Sequence, residues 1–229
     1  LLNDATRNIM TLEDPVEYNV AGLNQVQVNA RLGLNFAAGL RTFVRQDPDI
    51  ILVGEIRDNE TAEMAVQAAL TGHLLLSTLH TNSAVGTIDR LENLGLDRFL
   101  IAQALDGAVS QRLVARVCRH CSEPSAPSPA VLASIGLSPD ETTGYSFRQG
   151  RGCTVCRGRG LAGRQAVFEV LELDEPLRSS ILQGMPGDQL QQLAEQRGMR
   201  SLRGSVLEAV RTGITTPQEM GRVVLSKAH

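Results

Sequence analysis

The sequence predicts an α/β chain built on a mostly parallel sheet, and three observations carry that expectation. Short apolar-rich runs at Ile9–Leu12, Ile50–Val53 and Leu74–Leu76 are too brief for free-standing helices and read as strands buried in a sheet. Capped amphipathic stretches separate them, which is the spacing of βαβ units with right-handed crossovers. Each run gives way directly to acidic or polar residues, at the strand ends where open α/β sheets hold ligands.

Composition limits the function classes. The 229 residues allow one large domain or two small ones, and 42% hydrophobic with 3% aromatic residues suits an aliphatic core. No run approaches the roughly 18 to 20 apolar residues of a membrane span, and Leu1–Arg7 lacks a signal-peptide pattern, so the chain reads as cytosolic. A net charge of -3 argues against general attraction to nucleic acid or anionic lipid. Lys227 is the single lysine among 22 Lys plus Arg and lies in a helix-like tail. The phosphate-binding pattern G-x-x-x-x-G-K-[ST] is therefore absent from these residues.

Taken in order, Leu1–Arg7 resembles the last turns of a helix, and the strand Ile9–Leu12 ends in Glu13, Asp14, Pro15 and Glu17. Pro15 stops the strand and biases Asp14 to extended backbone, projecting the acids outward. An acidic turn after an edge strand is the plain alternative. Gly22–Leu34 is polar and Gly-punctuated, with the alternation of Val26 and Val28 suggesting a hairpin or irregular loop. Asn35 is placed to cap a helix through Gln46 with Phe36, Leu40, Phe43 and Val44 inward. Arg41 and Arg45 share one side of it, either a solvated face or the border of a cleft.

The stretch Ile50–Val53 ends at Gly54, and Glu55, Arg57 and Asp58 follow at once. A carboxylate fixed there can hold a Mg²⁺ water or polarise an attacking water, as the Walker B element of P-loop NTPases does; a charged surface turn is the alternative. Asp58 or Asn59 caps the next helix, with Ala62, Ala65, Val66, Ala69 and Leu70 as a stripe for close packing and Gly72 at its end. His73 and His80 bracket the third strand. His80 stands among Ser77, Thr78, Thr81 and Asn82 at its carboxyl end, where donors can sense a phosphate, although a lone histidine is more often structural. Ser83 opens a helix through Leu94, Asp97 another to about Leu105, and Gln111–Val117 reads as a strand.

Cys118-Arg-His-Cys121 and Cys153-Thr-Val-Cys156 hold all four cysteines, with 31 residues between the pairs. Paired C-x-x-C knuckles in a cytosolic chain predict a tetrahedral Zn²⁺ site, against two redox units or a disulfide pair. Four thiolates leave no open coordination position, so the metal would hold structure. The Pro-, Ser- and Gly-rich Ser122–Gln149, helical only near Ala130–Ile135, would then fold on metal binding. Between Arg112 and Arg164 eight arginines face three acids, an excess that a zinc tetrathiolate partly offsets, and few aromatics are present for stacking; no nucleic-acid partner is expected. Gly163–Leu173 reads as a returning strand, followed by helices at Glu175–Leu182, Asp188–Gln196 and Ser201–Arg211. A capping box, Thr216-Pro-Gln-Glu219, opens a last helix with Met220, Val223 and Val224 inward.

Together these segments resemble the secretion ATPases of type II secretion and type IV pilus assembly, the general secretory pathway protein E family. The carriers are Thr11-Leu-Glu-Asp-Pro-Val-Glu17, similar to the aspartate box, Leu40-Arg-Thr-Phe-Val-Arg-Gln-Asp-Pro-Asp49, and Val53-Gly-Glu-Ile-Arg-Asp58, similar to Walker B. Leu70-Thr-Gly-His-Leu-Leu-Leu-Ser-Thr-Leu-His-Thr-Asn82 is similar to the histidine box, and Gln111-Arg-Leu113 and the two cysteine pairs also match.

The resemblance implies a RecA-like P-loop NTPase core over residues 1–111, lacking its Walker A part. An inserted tetracysteine zinc module (112–164) and a C-terminal strand and helical subdomain (165–229) follow. It implies ATP and Mg²⁺ as ligands, Glu13 as base for the hydrolytic water with Asp14 and Glu17 shaping that site, and Glu55 reaching Mg²⁺ through water. His80 and His73 would monitor the γ-phosphate, while Arg41, Arg45, Arg57 and Arg164 would line the nucleotide or reach it from a neighbouring subunit. It further implies a homohexameric ring, cytoplasmic and peripheral at the inner membrane, docked on secretion or pilus platform proteins through an N-terminal part outside this sequence. Without its phosphate-binding loop the chain is expected to be inactive by itself, with an exposed or repaired sheet edge near Ile9–Leu12. The competing expectation is a non-catalytic zinc-ribbon adaptor binding protein or nucleic acid.

Overall fold

A computed structural model describes residues 2–225, with the side chains of Val224 and Leu225 excluded. Lys227 and the inward placement expected for Val224 lie outside the described residues. The chain divides into two compact units, 1–81 with 85–106 and 173–191, and 82–84 with 107–172 and 192–229. These cut across the three segments expected from the sequence, because the strands Gly107–Val117 and Leu161–Glu172 both run wholly in the second unit.

The first unit holds a four-stranded parallel sheet in the order β2-β1-β3-β4, formed by β1 (Ile9–Glu13), β2 (Asn24–Gln27), β3 (Ile50–Val53) and β4 (Leu74–Ser77). β3 has neighbours on both edges, Ile50 aligning with Ile9 and with Leu74, and its side chains are buried or half-buried. A continuous apolar run is what a strand covered on both faces requires.

Pairing refines two sequence expectations. Residues 22–34, expected as a hairpin or irregular loop, supply a strand: Asn24–Gln27 lies parallel to β1, Met10 opposite Asn24 and Glu13 opposite Gln27, and an antiparallel bridge joins Asn29 to Leu34. β1 is therefore an inner strand paired on both sides, so of the exposed or repaired edge expected near residues 9–12 the exposed form is not found; along the edge strand β4, Leu74 and Leu76 are 43% and 40% exposed. Side chains hold the short polar β2 in place: Gln25 Nε2 donates to Glu13 and to the Tyr18 carbonyl, and Asn24 Nδ2 donates to Asn8.

Helices cover the sheet. Asn35 caps α1 (Phe36–Phe43) by accepting from Ala38 N–H, burying Ala37, Leu40 and Phe43. The helix stops three residues short of the expected Gln46. A Cβ on Gly39 would stand 2.5 Å from Leu12 Cδ2, so glycine is what lets α1 lie against β1. Asp58 caps α2 (Asn59–Leu70) through Thr61 N–H. Its buried stripe is Thr61, Ala62, Ala65, Val66 and Ala68, and Leu70, expected inward, is exposed. α3 (Gly86–Asn93) starts three residues later than Ser83, and Asp97 caps α4 (Arg98–Ala104). Residues 2–7 carry a turn and no helix, contrary to the expectation of helical turns there.

In the second unit β5 (Gly107–Val117), β6 (Ser122–Pro124), β7 (Arg148–Gly150) and β8 (Leu161–Glu172) form two antiparallel pairs. β6 joins β7 within the expected zinc segment, and β5 joins β8 with a register shift between Ala115 and Val117. The helices α5 (Pro129–Ser134), α6 (Glu175–Leu182) and α7 (Gly187–Gln196) fall within a residue of their sequence-based bounds. The inner face of β5 and β8 packs Val114 and Val167 against Val206 and Val210 of α8 (Leu202–Arg211) and Met220 of α9 (Pro217–Leu225). The capping box expected at Thr216 is half formed. Glu219 N–H donates to Thr216 Oγ1, whereas the Glu219 carboxylate is taken by Arg222 and by Ala115 N–H.

Candidate functional site

Since all four strands of the sheet are parallel, the residues after β1, β3 and β4 meet at one rim. They line a cleft of about 510 Å³ whose walls include Thr11, Glu13, Asp14, Glu17, Tyr18, Gln25, Phe36, Gly54, Glu55 and Thr78. Hydrogen bonds fix its acids. Glu13 Oε1 accepts from Thr11 Oγ1 (2.6 Å) and Gln25 Nε2 (2.9 Å). The turn after β3 is stitched to its neighbours by Gly54 N–H to the Leu12 carbonyl (2.7 Å), Ile56 N–H to the Thr78 carbonyl (3.1 Å) and Thr78 Oγ1 to the Gly54 carbonyl (2.7 Å). Gly54 suits this turn because a Cβ would come within 3.1 Å of the Leu12 oxygen.

The Glu55 side chain is 14% exposed, and its Oε2 meets Arg57 Nε and lies 3.5 Å from His80 Nε2. The His80 side chain is 85% exposed. A half-buried carboxylate pair with basic groups at its mouth can bind a hydrated cation and orient water, since hard cations take oxygen ligands. Sequence reasoning gives Thr11 and Gln25 no role. Thr11 shares Glu13's face of β1 through strand alternation, whereas Gln25 becomes a cleft residue only through the β1–β2 register, which no local pattern announces.

The other candidates stand elsewhere. His73 precedes β4, at the opposite end of that strand from His80, with Nδ1 2.9 Å from the Ala68 carbonyl and 3.1 Å from Thr71 Oγ1. Those contacts close the C-terminal end of α2, so the expected pairing of His73 with His80 at one phosphate is corrected. Arg41 makes a 2.9 Å ion pair with Glu60 of α2, and Arg45 is exposed one turn further on. A helix that feeds a strand must finish at the strand's amino end. The cationic side of α1 is thus carried away from the cleft, which Phe36 at the helix start lines. Arg164 lies exposed on β8, in the second unit.

The second unit holds the four cysteines together, their Sγ atoms all within 4.8 Å of one another. Cys118–Cys153, Cys121–Cys156 and Cys153–Cys156 are separated by 3.9, 3.8 and 3.7 Å. Four sulfurs about 2.3 Å from a tetrahedral centre lie about 3.8 Å apart, so the spacing fits Zn²⁺. It is too wide for a disulfide, whose sulfurs stand about 2.05 Å apart. The N–H groups of Cys153 and Gly160 donate to Cys156 Sγ and pull that thiol down to about 6, while burial pushes Cys121 up to about 12. A dication among the sulfurs would let all four ionise.

The model of the family described as type II/IV secretion system protein matches residues 1–222. The chain is similar to the type IV pilus assembly ATPase PilB of Thermus thermophilus, 49% identical over 214 residues, 93% of this chain and 24% of that protein. It is also similar to the type II secretion system protein E of Pseudomonas aeruginosa, 45% identical over 222 residues, 97% of this chain and 44% of that one. It thus spans less than half the length of these relatives. Among solved structures, the pilus retraction motor PilT with bound ADP superposes with a TM-score of 0.68 at 27% identity, covering 95% of this chain and 52% of that one. The Legionella pneumophila ATPase DotB, at 24% identity and a TM-score of 0.67, shares the fold; 98% of this chain and 53% of that one are covered.

Proposed function

The chain belongs to the type II/IV secretion system protein family, and from that premise we propose that it supplies the water-activating and metal-holding half of an ATPase motor. The observation that carries this reading is the convergence of Glu13 and Glu55, 42 positions apart in sequence, on one cleft at the carboxyl rim of a parallel sheet. Relatives named as pilus assembly ATPase and as type II secretion protein support the motor role. An adaptor built on the cysteines leaves these two acids without a purpose.

In this reading Glu13, held by Thr11 and Gln25, accepts a proton from the attacking water, and Asp14 and Glu17 keep that side of the cleft acidic and wet. Glu55, which shares the cleft wall with Thr11 and Thr78, would hold Mg²⁺ through water; bound there, the ion neutralises charge on the departing phosphates. His80 and Arg57 stand at the Glu55 carboxylate and can exchange that partner for phosphate oxygens. Arg41 and Arg45, carried away from the acids by α1, and Arg164, exposed on β8, suit contact with the nucleotide of a neighbouring subunit in a hexameric ring. A planar cation there stabilises the spreading charge of phosphoryl transfer. The four thiolates would hold Zn²⁺ as a structural ion.

These residues contain no Walker A pattern, so in this reading hydrolysis requires a phosphate-binding loop that they do not supply, and the 229-residue chain by itself is inactive. The relatives' names support coupling to pilus assembly or type II secretion; pseudopilus assembly and docking on platform proteins at the cytoplasmic face of the inner membrane are part of the proposal. Among the described residues no helix is long and apolar enough to cross a membrane. Steady-state ATP hydrolysis by the complete protein tests the proposal. Glu55→Gln should lower kcat by roughly 100-fold or more, and wild-type turnover in that variant would overturn it.

A further inference from the structure

The side-chain amide of Gln25, half-buried on β2, is bonded at both of its ends. Its Oε1 accepts from Val20 N–H (2.7 Å), and its Nε2 donates to the Tyr18 carbonyl (3.0 Å) and to Glu13 Oε1 (2.9 Å). A backbone N–H can only donate and a carbonyl can only accept, so these two backbone partners allow the amide one orientation, in which the remaining N–H is the one turned to Glu13. Glu13 is thereby bonded unevenly. Oε1 takes both donors, Thr11 Oγ1 at 2.6 Å and Gln25 Nε2 at 2.9 Å, whereas among the described residues Oε2 takes none. With lone pairs of Oε1 occupied, Oε2 is the oxygen left to water.

The backbone partners belong to the loop 14–23, which supplies Asp14, Glu17, Tyr18 and Val20 to the cleft wall, and loop, Gln25 and Glu13 all lie in the first unit. Tyr18 is 77% exposed and Val20 43%, so little packing fixes the loop. Among the described residues its side-chain anchors are Gln27 Oε1, which accepts from Val16 N–H (3.3 Å) near its start, Asn3 Nδ2, which donates to the Ala21 carbonyl (2.9 Å) near its end, and Gln25 between them. Resting on the reading of Glu13 as the base, we infer that Gln25 is a positioning residue that ties the aim of the Glu13 carboxylate to the seating of this loop, with Oε2 as the atom that takes the proton of the attacking water. That proton passes to Oε2 as the water oxygen bonds to phosphorus and the bond from phosphorus to the departing diphosphate breaks. Gln25 touches no substrate. A loop lifted from the cleft takes the Tyr18 and Val20 bonds with it, frees the amide to turn, and leaves Glu13 on Thr11 alone.

Steady-state ATP hydrolysis by the complete protein tests this, with Gln25→Met, Val20→Pro, their double variant, Gln25→Glu and Glu13→Gln compared. Gln25→Met keeps the length of the side chain and removes its bonds to Glu13, Tyr18 and Val20. It should lower kcat by about tenfold with KM within about twofold. Val20→Pro removes the N–H that fixes the amide and leaves Gln25 itself in place. It should lower kcat by about threefold or more in the wild-type background and add no further loss in Gln25→Met, because it acts through that amide. Gln25→Glu keeps an acceptor for Val20 N–H but has no N–H for Glu13, so it should lose kcat as Gln25→Met does, and it carries the test should Gln25→Met fail to fold. Wild-type kcat in any of these three single variants, a KM that rises as much as kcat falls, or equal losses from Val20→Pro in both backgrounds would each overturn the inference. Loss of turnover in Glu13→Gln alongside any of those results leaves the cleft reading standing, whereas wild-type turnover in Glu13→Gln removes both.

Discussion

Glu55 Oε2 lies 3.5 Å from His80 Nε2, joining the turn after β3 to the strap after β4. Because the imidazole is otherwise in solvent, this contact is the one that presents it to the cleft. His80→Ala in the complete ATPase is expected to lower kcat by about 10- to 100-fold, near the range for loss of one positioned donor. ATP affinity, read by equilibrium titration, should change far less.

The tetrathiolate cluster predicts one zinc per chain by elemental analysis, and Cys156→Ser should lose most of it. Removal of the metal should cost stability out of proportion to the four residues, since structural zinc contributes on the order of 10 kcal/mol in small domains. Thermal unfolding with and without a chelator measures this. Full metal-free stability would show that the thiols pack without an ion.

Leu12 is fully buried on an inner strand and lies under Gly39 of α1. Leu12→Ala should destabilise the first unit by about 2–5 kcal/mol. Gly39→Ala should cost about 1–3 kcal/mol, because the added methyl meets Leu12 Cδ2. The double substitution Gly39→Ala with Leu12→Val should cost less than the sum of the single changes, a coupling that urea unfolding can resolve.

The hydrogen bond from Arg222 holds the buried Glu219 carboxyl below its ordinary value of 4.5, with the Ala115 N–H acting in the same direction. A depressed folded value means this stabilisation is complete above about pH 4.5 and is lost as the pH falls through the folded value. Urea midpoints followed from about pH 6 down to about pH 3 should therefore fall less steeply for Glu219→Gln than for the wild type, although the variant starts lower at neutral pH.

Much of this was legible in the residues themselves. Ile50–Val53 announced a doubly covered strand because four apolar, mostly β-branched positions have few other homes, and Asn35, Asp58 and Asp97 announced helix starts because their side chains accept from the first turn. Adjacency in the sheet was not legible. Asn24–Gln27 carries one apolar residue, and its place beside β1 comes from Gln25 and Asn24 side chains bonding across the chain. That single pairing decides which strand is an edge and adds Gln25 to the site. Direction misled in the same way: His73 and His80 look symmetric about a strand, yet a strand's two ends face opposite rims, and only one of them holds the acids. Glu169 gave no signal at all, since a glutamate within an alternating strand reads as a solvent-facing residue until Ala84 and Leu202 are seen to converge on it.

The most direct measurement is of the nucleotide found bound to the complete protein carrying Glu13→Gln, after incubation with ATP and Mg²⁺ and rapid removal of free ligand. With Glu13 as the base for the attacking water, the variant should retain ATP almost wholly unhydrolysed where the wild type yields ADP. Recovery of ADP from Glu13→Gln at the wild-type rate would contradict it.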